Sequence, residues 1–69
     1  MIITFDKEAD AVYIEFKSGE FASNKKIDKD TIIDLGKDGN ILGIELLNVS
    51  QRISKDFLSD ISVKNLVSA

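Results

Sequence analysis

The sequence predicts an α+β domain: an antiparallel four-stranded sheet of two β-hairpins, packed by a C-terminal helix, with room for a short fifth strand in the tail. Three observations predict it. AVYIEFK, residues 11–17, alternates apolar and polar side chains as a half-buried strand does. Two apolar runs, TIIDLG and ILGIELL, flank the turn-forming KDGN. After Leu47 the period changes, and Val49, Ile53, Phe57 and Ile61 recur every four positions, as on the buried stripe of a helix.

The elements follow in order. MIITF, residues 1–5, is β-branched and apolar and runs into an acidic turn, so it reads as the first strand. Residues 11–17 form the second, with Val12, Ile14 and Phe16 on one face and Tyr13 and Glu15 on the other. SGEFASNKKIDKD, residues 18–30, mixes Gly, Ser, Asn and charge around only two apolar anchors, Phe21 and Ile27, and reads as a long loop. A two-residue turn at Asp38 and Gly39, each with positive φ, sets Leu35 opposite Leu42, Ile33 opposite Ile44 and Thr31 opposite Leu46 on an apolar face. Ile32, Asp34, Ile41 and Glu45 fall on the second, mixed face. Asn48 with Gln51 resembles a capping box, and Ser54 offers a second helix start. The tail from Ile61 is β-branched and fits a last strand slightly better than continued helix.

Sixty-nine residues make a single domain, 1–69, in which burial only roughly offsets the cost of ordering the chain. An apolar fraction of 43% with 30% charged residues describes a folded chain, not a disordered one. The sequence shows no apolar run long enough to span a bilayer and no leader pattern, so a cytoplasmic location without membrane association is expected. With no cysteine there is neither a disulfide framework nor a thiolate nucleophile. With no histidine the commonest general base and transition-metal ligand are missing, and a serine nucleophile would need a lysine base. Nine basic against twelve acidic residues, net −3, argue against nucleic-acid binding; Lys25, Lys26 and Lys29 are interleaved with Asp28 and Asp30.

Two acidic sets remain as candidate chemistry. Asp6, Glu8 and Asp10 occupy the first, third and fifth positions of a calcium-type loop, but Ala11 stands where the turn needs Gly and Lys17 where a bidentate Glu belongs. Asp6 capping a turn between the first two strands is the simpler reading. Asp34 and Glu45, diagonal on the mixed face, would serve a metal-assisted hydrolase only inside an enclosed pocket, for which so small a domain has little volume. The residues therefore predict no catalytic, metal or cofactor site. They predict structural turns at Asp6, Asp38 and Gly39, and an interface at Tyr13, Ile32 and Ile41, whose apolar surface needs a cover. The function expected is a non-enzymatic protein-interaction domain, homodimeric through the mixed face or the strand edges.

FDKEADAVYI, residues 5–14, and IDLGKDGNILGIELLNVSQRI, residues 33–53, resemble the small prokaryotic domain of unknown function numbered 2283, with its YD-x-EADALYI and DGRIVGIEILNASKRL segments. Phe5 replaces Tyr, Val12 replaces Leu and Val49 replaces Ala. The resemblance covers residues 1–53 and implies an antiparallel sheet with a C-terminal helix. It brings no established activity and no functional residues. Relatives beside genes for small toxin-like proteins make an antitoxin-like or immunity-like partner of a small basic toxin the alternative reading.

Overall fold

The computed structural model describes the backbone of residues 1–68 and the side chains of residues 1–61. Five strands, β1 (Ile2–Asp6), β2 (Ala11–Glu15), β3 (Phe21–Asp28), β4 (Thr31–Gly36) and β5 (Ile41–Leu47), are followed by a 3-10 turn (Val49–Gln51) and one helix, α1 (Lys55–Ser68). The strands form one antiparallel sheet in the order β1-β2-β5-β4-β3. The α+β class, the antiparallel sheet and the C-terminal helix agree with the sequence reading. The strand inventory does not.

The fifth strand comes from residues 21–28, the segment read as a loop. All eight of its positions are exposed, and it pairs only with β4. An edge strand wet on both faces needs no alternation of apolar residues, so the periodicity that reveals β2 is missing from it. The tail, expected as a strand, continues α1 to Ser68. Extending an existing helix adds one hydrogen bond per residue fixed, and this outweighs the weak strand preference of β-branched side chains. Ala69 lies outside the described residues.

One sheet face builds the core. Ile3, Ile14, Ile44 and Ile33 pair successively across β1, β2, β5 and β4, and Phe5, Val12, Leu46 and Thr31 form the next row. Val12, Val49 and Leu58 are buried at its centre, with Ile3, Phe5, Ile14, Leu46 and Ile53 packed around them. Ser54 starts α1, its Oγ accepting the Phe57 N–H at 3.2 Å. Asn48 is no capping-box residue: it makes no side-chain cap bond and turns the chain in the left-handed region, φ 55°, which Asn tolerates better than most residues.

The β4–β5 register departs from expectation at one point and then returns. Gly39 alone takes positive φ in the turn, 83°. Its N–H meets the Gly36 carbonyl at 3.0 Å, and the Gly36 N–H meets the Asn40 carbonyl at 2.9 Å. The loop is thus three residues, Lys37 to Gly39, a type I turn ending in a left-handed glycine in place of a two-residue turn. One extra loop residue would shift every later pair, but Leu35 pairs Ile41 and Asp34 pairs Gly43, leaving Leu42 as a bulge that restores the register. Ile33–Ile44, Ile32–Glu45 and Thr31–Leu46 then pair as the sequence predicts.

The bulge exchanges two side chains. Ile41 joins Leu35 on the core side, 44% exposed, and not the mixed face expected of it. Leu42 moves to the mixed face and is buried against Gly36 and Gly19. Beyond it the backbone is at its most crowded: a Cβ on Gly43 would lie 2.5 Å from the Tyr13 hydroxyl and 2.6 Å from the Ile14 carbonyl oxygen. Gly43→Ala is therefore expected to destabilise the domain by about 2–3 kcal/mol in urea unfolding, since backbone must move to admit the methyl. A change within about 0.5 kcal/mol would contradict this packing.

Candidate functional site

On the sheet face opposite the core, Thr4, Tyr13, Glu45, Ile32 and Lys26 form one continuous row across all five strands. The adjacent row holds Glu15, Gly43, Asp34 and Asn24. Because Gly43 has no side chain, Tyr13 leans across it towards Asp34, placing a phenol and two carboxylates together. Shallow concavities of about 460 Å³ and 310 Å³ flank this cluster, and Tyr13 and Asp34 line both.

The cluster is electrostatically loaded. Asp34 is only 8% exposed. A hydrogen bond with Asp34, reinforced by burial and by the Asp34 charge, raises the Glu45 carboxyl above the usual glutamate range. Burial, then the charge of Asp34 and a hydrogen bond to it, raises the Tyr13 hydroxyl, which stays protonated as a donor. Asp34 Oδ1 is left buried without a hydrogen-bond partner among the described residues. Paired carboxylates in unlike surroundings are the raw material of acid–base chemistry. Here Asp34 lines both concavities and Glu45 the larger one. Among the described residues, no three His, Cys, Asp or Glu side chains are grouped so as to hold a metal ion.

The other acidic set is structural. Asp6 Oδ1 accepts the Ala9 N–H at 3.1 Å and closes the turn between β1 and β2. Asp10, at φ 53°, reaches forty residues along the chain: its carboxylate takes the Ser50 N–H at 3.0 Å and the Ser50 hydroxyl at 2.8 Å, and its carbonyl takes the Val49 N–H at 3.0 Å. Glu8 is exposed beside this lock. Arg52 ties the other hairpin, donating to the Asp30 carbonyl at 2.6 Å, the Leu47 carbonyl at 3.3 Å and the Thr31 hydroxyl at 2.8 Å. Asp38 holds Asn40 through both its backbone and its side-chain amide. Sequence reasoning missed Asp10–Ser50 and Arg52, because partners so far apart leave no local spacing. A serine–lysine pair three residues apart, Ser23 and Lys26, lies on exposed β3, where odd spacing sends the two side chains to opposite faces.

Of the three residues read as an interface, Tyr13 and Ile32 share the open face and Ile41 faces the other way. An acid whose folded pKa is raised stabilises the fold while protonated. For Glu45 that contribution is complete below its ordinary value of 4.5 and disappears as pH rises through the raised folded value. Glu45→Gln supplies a permanent N–H to Asp34, so at dilutions where the chain is monomeric it is expected to raise stability at pH 7 by up to about 1 kcal/mol, the range for a solvent-screened pair. Denaturation at several pH values should also show a flatter decline above pH 4.5. An unchanged slope would mean that the fold does not raise the Glu45 carboxyl.

Among the described residues, no helix is long and apolar enough to cross a membrane. Comparison with curated proteins and with solved structures found no match. A family model described as "Protein of unknown function (DUF2283)" matches residues 2–50. Those residues hold all five strands, the Asp10–Ser50 lock and the Tyr13–Asp34–Glu45 cluster. The chain thus belongs to the DUF2283 family.

Proposed function

We propose that this domain is a non-enzymatic interaction module that self-associates, as a dimer, through the open face of its sheet. The observation that carries the reading is the one-sided core. Val12, Val49 and Leu58 pack one face, while Tyr13, Ile32 and Leu47, half-buried on the other, have no second layer among the described residues. A sheet in a small domain gains most by covering such a face.

The strand edges are poorer candidates. β3 carries Lys25 and Lys26 and two register irregularities, the devices by which edge strands avoid pairing with another chain. β1 packs against α1. Sedimentation at micromolar concentration is expected to give a species of twice the 7.6 kDa chain mass. Ile32→Arg should return it to the monomer, and Ile41→Arg, on the opposite face, should not. A wild-type chain sedimenting only at 7.6 kDa would refute the reading.

A further inference from the structure

The open face has a charge order that matches itself. Glu45, Ile32 and Lys26 are successive partners across β5, β4 and β3, with the acid on one side of Ile32 and the base on the other. A two-fold axis parallel to the strands and lying over β4 keeps each residue at its own level along the strands while exchanging β3 with β5. Ile32 then meets Ile32, and Lys26 of each copy lies over Glu45 of the other. Packed sheets sit about 10 Å apart, a gap that an extended lysine stem and a glutamate can bridge.

The recipient site wants such a group. Asp34 Oδ1 is buried and has no donor among the described residues, in a residue 8% exposed that lines both concavities. A buried carboxylate oxygen without a partner is costly, and its need is met by an N–H donor, best a charged one. Calcium requires six or more oxygens and magnesium an octahedron, whereas two carboxylates and a phenol offer too few. Leu42 and Leu47 beside the acids suit the methylenes of a lysine. Lys26 is exposed and makes no ion pair among the described residues, where Lys37 pairs with Glu20.

We propose that a second copy docks on the open face about a two-fold axis along β4, so that Lys26 of each copy enters the Tyr13–Asp34–Glu45 socket of the other. This rests on the self-association reading and names the contact that fixes its geometry.

A charge swap tests it by sedimentation equilibrium, with circular dichroism to show that each variant is folded. Lys26→Glu alone and Glu45→Lys alone should each weaken the dimer about tenfold or more, because each sets like charges together at two symmetry-related places. Mixed one to one, the two variants should dimerise again. In that mixed dimer the glutamate introduced at position 26 faces the lysine introduced at position 45, and the unchanged Lys26 and Glu45 face each other. Weakening by both without rescue would overturn the inference, placing Lys26 beside the acids of its own chain. A wild-type dimer indifferent to both variants would overturn it while leaving self-association standing, and a monomeric wild type would remove both. Should Glu45→Lys fail to fold, Lys26→Met and Glu45→Gln replace the swap: additive effects on the dimer constant would contradict the contact, and a double variant no weaker than either single one would support it.

Discussion

The double pairing of β5 is the constraint on which the rest of this structure depends. β5 is bonded to β2 on one side and β4 on the other, so its register decides what every strand presents to each face. A three-residue turn at Lys37 to Gly39 would by itself put the β4 ladder out of phase. The bulge at Leu42 cancels that shift, and the apolar side chains of β4 and β5 return to the core side. Without it Ile33 and Ile44 would no longer meet, and the isoleucine row that runs to Ile3 would break.

The same device builds the open face. By skipping Leu42, the chain brings Gly43 opposite Asp34 and beside Tyr13. The missing side chain at Gly43 is what allows the Tyr13 hydroxyl to cross and meet the acids. Much of the segment from Gly39 to Arg52 is scaffold: a left-handed glycine, a glycine with no room for Cβ, a glutamate hydrogen-bonded to Asp34, a left-handed asparagine, a serine holding Asp10 and an arginine gripping the β3–β4 turn. These contacts close the fold around the Tyr13–Asp34–Glu45 face.

What the sequence disclosed followed from how water meets each element. Alternation exposed β2, and the apolar runs on either side of KDGN exposed β4 and β5. Of the four-residue repeat read as a helical stripe, Val49 and Ile61 are buried and Ile53 half-buried, but Phe57 is 50% exposed and Leu58 beside it takes the buried place; Val49 and Ile53 precede α1. β3 lies at the rim with both faces wet and left no such trace. Leu42 looks like any core leucine in a strand, and nothing local distinguishes a two-residue turn from a three-residue turn followed by a bulge. At the acidic corner, sequence spacing argued against calcium, but the role of Asp10 depends on Ser50, far along the chain. The Asp34–Glu45 neighbourhood was legible as a diagonal pair. Its coupling to Tyr13 was not, because it depends on the empty space at Gly43.

Cross-strand nuclear Overhauser contacts between β4 and β5 test the central register most directly. Contacts are expected for Asp34 with Gly43 and for Leu35 with Ile41, with Leu42 outside the ladder. An unbroken ladder pairing Leu35 with Leu42 and Gly36 with Ile41 would contradict it, and the crossing of Tyr13 over Gly43 would lose its basis.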